Sequence, residues 1–252
     1  MEVYFLTNQE TAACPVSWFH HIMPERCRRA ERFRFEKDRL LCWGAGLLLH
    51  HLLPVDEKDL RHTDNGKPFV TGQPFFNLSH AGTTAVFVRH HTPVGIDIEP
   101  VGAYEPLVAE HVFTPRERQW MREHPAYRFY HLWCRKESLL KAVGSGLSVD
   151  PVTVELCPLQ ETVSQSDTIA LYACRAAVSS EETVTLVPEP LTLTWEEPLS
   201  EVVSFADRSW RIVSGCLCPT GEQTMDAAFP LPMCLSIAYA LDEGKSCPCG
   251  QL

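Results

Sequence analysis

Between residues 93 and 100 apolar and polar positions alternate, with Val94, Ile96 and Ile98 on one side and Asp97 and Glu99 on the other. A period of two predicts a half-buried β-strand carrying two carboxylates about 6–7 Å apart on its outer face. Upstream, the Phe-rich run Phe75–Gly82 reads as a strand ending at a glycine turn, and Thr83–Val88 as the next strand. With the Asp97 strand these predict a three-stranded antiparallel meander, with Ser79 and His80 at its first corner. The period becomes helical over Phe129–Ala142, where Trp133, Glu137 and Lys141 recur at i, i+4 and i+8 on one face. Leu40–Leu49, interrupted by Gly44 and Gly46, predicts a buried helix whose glycines allow close backbone approach. At about ten residues it is too short to span a bilayer. Met1–Phe5 reads as an edge strand and lacks the basic and apolar regions of a secretory leader.

Beyond the Glu137 helix, Val152–Leu156, Leu171–Cys174, Trp210–Gly215 and Leu235–Ala240 read as strands. Gln160–Asp167 and Val187–Ser200 are rich in Pro, Glu, Ser and Thr and read as loops and hairpins; the tail from Asp242 reads as mobile. The prediction is an α+β fold of two halves, 1–101 and 102–252, each a helix on a small antiparallel sheet.

Composition narrows this picture. With 252 residues, 45% hydrophobic and 21% charged, the chain is an ordinary globular protein of one or two domains. The net charge is −10, and no nucleic-acid partner is expected. Eleven scattered cysteines without a C-x-x-C pair read as reduced, buried thiols, which places the chain in the cytoplasm. Cys216-Leu217-Cys218 and Cys247-Pro248-Cys249 together supply four thiols, but the one-residue spacing is unusual for zinc. The doublets His20-His21, His50-His51 and His90-His91 have no ligand spacing.

The candidate chemistry is acidic and cationic. Asp97 and Glu99, with a third carboxylate, suit Mg²⁺, which takes one or two carboxylates plus water and substrate phosphates. The same pair also describes a solvated strand face, and Glu137 with Lys141 an ordinary surface ion pair. Ser79 and His80 are adjacent on a strand and point to opposite faces, so anion binding suits them better than a nucleophile–base couple. Pro24–Arg34 carries five arginines within nine residues, which reads as a local anion site in an acidic chain or as a solvated helix face with Glu25, Glu31 and Glu36 as partners; Arg26 and Arg29 share a helix face.

Gly66-Lys67-Pro68, Phe76-Asn77-Leu78-Ser79-His80, Val94-Gly95-Ile96-Asp97-Ile98-Glu99 and Trp133-x-x-Lys136-Glu137-x-x-x-Lys141 occur in that order. Phe113-Thr114-Pro115-Arg116-Glu117 precedes the helix and Gly144-x-Gly146-Leu147-Ser148 follows it. In this order the motifs resemble the 4′-phosphopantetheinyl transferases, in particular the monomeric type that activates surfactin synthetase. The resemblance implies a pseudo-twofold arrangement with the active site in the cleft between halves. It implies transfer of the phosphopantetheine arm of coenzyme A to a serine of an apo acyl or peptidyl carrier protein, releasing adenosine 3′,5′-bisphosphate. Asp97, Glu99 and Glu137 then match the ligands of Mg²⁺, with Mn²⁺ as a substitute. Glu137 matches the base, and Lys141 the lysine on the pyrophosphate and leaving phosphate. Gly66, Lys67 and Pro68 match the adenine segment, Ser79 and His80 phosphate contacts, and Arg26 and Arg29 the 3′-phosphate grip. The resemblance further implies a monomer with pseudo-dimeric halves and no membrane partner. A carrier would dock near Arg116, Arg118 and Arg122, with Phe113, Trp120 and Met121. A silent coenzyme A- or carrier-binding module and another Mg²⁺-dependent pyrophosphate-cleaving enzyme are the alternatives.

Overall fold

The computed structural model describes residues 1–53, 55–156, 169–191, 193–219 and 232–241. In chain order the elements are β1 (Glu2–Thr7), α1 (Asn8–Ala12), α2 (Val16–Ile22), α3 (Pro24–Ala30), α4 (Glu36–Leu52), β2 (Arg61–His62), β3 (Pro68–Phe69), β4 (Phe75–Ala81), β5 (Thr84–His90) and β6 (Val94–Pro100). There follow α5 (Pro106–Val112), α6 (Pro115–Met121), α7 (Pro125–Val143), β7 (Ala170–Val178), β8 (Val184–Pro190), β9 (Leu193–Phe205), β10 (Arg208–Pro219) and β11 (Met233–Ala240). The larger sheet runs β4-β5-β1-β7-β8 and the second β6-β11-β10-β9, while β2 and β3 pair by themselves. The fold is α+β, as the periodicities predict. No helix among the described residues is long and apolar enough to cross a membrane.

Four layers stack as helix, sheet, sheet, helix. Leu47 and Leu48 of α4 pack with Tyr4, Leu6 and Phe87 on the outer face of the larger sheet. Val3, Phe5, Val86 and Val88 turn inward against Ile96, Ile98, Leu235 and Ile237 of the second sheet. Leu139, Leu140 and Ala142 of α7 close the far side against Ile212 and Ala238. Each strand of this interior is thus covered on both faces, the situation in which apolar runs replace alternation.

Several expectations change for this reason. β1 is not an edge strand: Val3-Tyr4-Phe5-Leu6 is apolar throughout because β1 lies inside its sheet, between β5 and β7. The sheet is mixed rather than wholly antiparallel, since β1 and β7 run parallel. The three-stranded meander does not form. β4 pairs with β5, but β6 leaves them and pairs with β11 at the edge of the second sheet. The chain then returns, placing β7 and β8 in the larger sheet, so both sheets are assembled across residue 101. Residues 151–153 form a 3₁₀ turn instead of the expected strand. Leu171–Cys174, Trp210–Gly215 and Leu235–Ala240 do lie in strands. Gln160–Asp167, Cys157, Cys247, Cys249 and the tail from Asp242 lie outside the described residues.

The polar face of β6 is also covered. α7 packs so closely on it that a Cβ at Gly95 would stand 2.1 Å from Ser138 O and 2.3 Å from Ala142 N. This glycine is what lets helix and strand meet.

Candidate active site

Over residues 131–142 of α7 nearly every side chain is buried, and Trp133, Glu137 and Lys141 form the partly open stripe. That stripe rises beside the β6 edge, so the i, i+4, i+8 spacing survives as the wall of a site. Asp97 points from β6 toward it and is only 3% exposed. Lys141 Nζ donates to Asp97 Oδ1 at 2.5 Å and to Ser79 Oγ at 3.0 Å, and Ser79 Oγ donates to the same Asp97 oxygen at 2.9 Å. Ser79 arrives from β4, the edge strand of the other sheet. Two positions earlier on β4, Asn77 Oδ1 accepts the backbone N–H of Ile96 at 3.0 Å. Two open sheet edges therefore meet through side chains, and the candidate site lies on this seam.

The electrostatics are those of crowded carboxylates. Burial, then the negative charge of Asp97, pushes the Glu99 carboxyl up to about 7, with Glu137 adding a smaller push. Burial also raises Glu137, against the pull of Lys141. Burial opposes charge on Lys141, but the Asp97 carboxylate outweighs it and holds the ammonium above its ordinary range.

These residues fit a hard divalent cation. The buried Oδ2 of Asp97 has no hydrogen-bond partner among the described residues. An orphaned carboxylate oxygen is costly unless a cation or donor meets it, and an all-oxygen set suits Mg²⁺ or Mn²⁺.

On the other side of β4 a cleft of 450 Å³ is lined by Arg26, Arg29, Lys37, His62, Gly66, Pro68, Leu78 and His80, among others. Ser79 and His80, opposite in facing, thus serve two neighbouring compartments. Arg26 lies across α4, where Gly46 makes room: a Cβ there would stand 2.4 Å from Arg26 Cδ. The N-terminus of α3 is capped by Glu57, whose carboxylate accepts from the N–H groups of Glu25 and Arg26 at 2.9 and 2.8 Å.

Not every predicted residue faces the cleft. Lys67 Nζ donates to Val94 O at 3.1 Å and Ala142 O at 2.9 Å, stitching β6 to the end of α7 on either side of Gly95. Burial brings it down to about 7. Lys37, in the first turn of α4, also lines the cleft, a role that only its position on the folded helix reveals. Also unforeseen is the buried pair of Lys136 and Glu117, at 2.9 Å. Glu117 also accepts from Leu156 N at 2.7 Å, and Lys136 donates to Pro151 O at 2.7 Å. Phe113 and Met121 are buried in the core around α7 and cannot serve docking; the exposed apolar side chains there are Leu107 and Val108. Cys216 Sγ lies 3.8 Å from Cys218 Sγ.

The two-sheet α+β framework thus brings three carboxylates and a lysine together at the strand–helix seam. Residues 93–193, which hold β6 and α7, match the family model of the 4′-phosphopantetheinyl transferase superfamily. The chain is similar to the 4′-phosphopantetheinyl transferase psf-1 of Bacillus pumilus, 37% identical over 49% of this chain and 58% of that protein. It is also similar to the 4′-phosphopantetheinyl transferase Sfp of Bacillus subtilis strain 168, at 29% over 51% and 62%. The L-aminoadipate-semialdehyde dehydrogenase-phosphopantetheinyl transferase of Xenopus laevis is 30% identical over 54% and 56%. The match thus spans a little over half the length of these relatives.

Proposed function

We propose that this chain transfers the 4′-phosphopantetheine arm of coenzyme A to a serine hydroxyl of an apo acyl or peptidyl carrier protein, releasing adenosine 3′,5′-bisphosphate. The observation that carries the reading is the orphaned Asp97 Oδ2 flanked by Glu99, Glu137 and Lys141, next to a cleft bearing Arg26, Arg29 and His80. The arginines would grip the 3′-phosphate, where a guanidinium fork binds bidentately, and Gly66 and Pro68 would lie against adenine. Asp97, Glu99 and Glu137 would hold Mg²⁺, or Mn²⁺ in its place, which when bound supplies charge neutralisation at the pyrophosphate.

Glu137, raised by burial toward the range where a general base works, would take the proton of the carrier serine. Lys141, kept cationic by Asp97, would stabilise charge on the leaving phosphate rather than surrender its proton. Ser79 is committed to Asp97 and Lys141, so the transfer is direct, without a covalent enzyme intermediate. The carrier would approach over α5 and α6, where Leu107 is 74% exposed and Arg122 is exposed, beside Arg116, which Glu155 holds at 3.1 Å. We place the enzyme in the cytoplasm as a monomer; the free thiols of Cys14, Cys27, Cys134 and Cys234 suit a reducing compartment.

Intact mass spectrometry of an apo acyl carrier protein incubated with this chain, coenzyme A and Mg²⁺ tests the reading. A gain of one phosphopantetheine, abolished by EDTA, is expected. No gain on either an acyl or a peptidyl carrier, with coenzyme A still bound, would leave a binding module instead.

A further inference from the structure

His20, Cys27 and Glu31 were given no joint role by their spacing in the chain, yet the fold gathers them at one point. The imidazole, thiol and carboxylate ligand atoms of these three side chains all lie within 4.8 Å of one another. Cys27 and Glu31 are one helical turn apart, joined by the 3.0 Å backbone hydrogen bond from Glu31 N to Cys27 O. His20 comes from α2, and its Nε2 stands 3.4 Å from Glu31 Oε1. The short break at Met23 folds α2 back so that their side chains converge.

We propose that His20, Cys27 and Glu31 form a binding site for a borderline divalent cation such as Zn²⁺. The donor set is mixed: one nitrogen, one sulfur and one oxygen, the types Zn²⁺ takes in tetrahedral sites. Mg²⁺, which wants oxygen, is excluded by the same set. As ligands, the thiolate and carboxylate together carry two negative charges and balance the ion. The fourth position opens to solvent, because the His20 and Glu31 side chains are half exposed while Cys27 is 1% exposed. The exposed pair has the rotamer freedom to draw in to bonding distance. The site is separate from the Asp97 seam and uses none of the residues assigned to it. The competing description is a weak surface His–Glu ion pair above an inert buried thiol.

The two descriptions separate on titration of the whole chain, kept reduced, with Co²⁺ as the optical stand-in for Zn²⁺. A near-ultraviolet thiolate-to-cobalt band is expected, displaced by Zn²⁺. Binding should also quench Trp43, whose indole faces the Cys27 thiol. Cys27→Ala should remove the band, and His20→Ala and Glu31→Gln should each weaken binding by at least about tenfold. Cys218→Ser, at a half-exposed thiol elsewhere, should change nothing. Should Cys27→Ala fail to fold, the two surface variants decide. Absence of any band, a band that persists in Cys27→Ala, or unchanged affinity in both His20→Ala and Glu31→Gln overturns the site.

Discussion

Lys141 Nζ binds one oxygen of Asp97 at 2.5 Å, while the other oxygen of the same carboxylate is buried without a hydrogen-bond partner among the described residues. One half of the carboxylate is thus committed to a fixed cation and the other is left for a second one. Replacing Lys141 by Ala removes the partner of a buried charge and the cation assigned to the leaving phosphate. Turnover should fall by about 10²–10³-fold, the loss typical when one charge-stabilising group is removed. Coenzyme A affinity should change less, because Lys141 does not line the arginine cleft. Steady-state kinetics beside calorimetric coenzyme A binding checks both; equal losses in the two would contradict the assignment.

The Gly95 contact makes a stability prediction. Gly95→Ala drives a methyl into the backbone of α7 at Ser138 and Ala142. Backbone cannot swing aside as a side chain can, so the strand and helix must separate, at about 1–3 kcal/mol or more. Chemical denaturation should show the lost stability. Turnover should fall too, since the same movement parts Lys141 from Asp97.

Gly46→Ala should behave differently. In the middle of α4, alanine gains about 1 kcal/mol of helix propensity. The new methyl, however, meets flexible ends, Arg26 Cδ at 2.4 Å and Met23 Sδ at 2.7 Å. Stability should change little, while Arg26 is displaced from the cleft and the KM for coenzyme A rises. An unchanged KM would remove Arg26 from the phosphate site.

Glu99 makes a pH prediction. Its folded-state carboxyl is pushed up to about 7 from the ordinary 4.5, so the folded protein holds a proton that the unfolded chain releases. Stability from this group is present below pH 4.5 and is lost as pH rises through 7. Without divalent metal, the Tm should therefore decline between these values, and Glu99→Gln should flatten the decline. Mg²⁺ affinity should run the other way, rising toward neutral pH as the carboxylate forms. A metal-free Tm profile identical in wild type and Glu99→Gln would contradict this.

Lys136→Met should be among the most damaging single changes. It leaves the fully buried Glu117 carboxylate without its ion pair and strips a donor from Pro151 O and Val154 O. Breaking such a pair from one side costs about 3–5 kcal/mol. Thermal unfolding would reveal it, and a Tm near wild type would mean that the cavity admits water.

The sequence by itself determined the local elements and the identities of the candidate groups. The alternation at 93–100, the apolar Leu40–Leu49 and the Trp133–Glu137–Lys141 stripe each report a face, and faces depend only on residue spacing. Spacing does not report partners. That β6 abandons its hairpin neighbours for β11, that β1 lies inside its sheet, and that α7 covers the Asp97 face were decided by which buried surfaces fit together. The same holds for the joining of Asp97 to Ser79, 18 positions earlier, and to Lys141, 44 later. Lys67 is the clearest case: its sequence context suggests a ligand contact, yet its ammonium is bound by two carbonyls from elements that meet only in the folded chain. A buried donor goes to whatever acceptor the tertiary packing leaves open, and no local pattern encodes that choice.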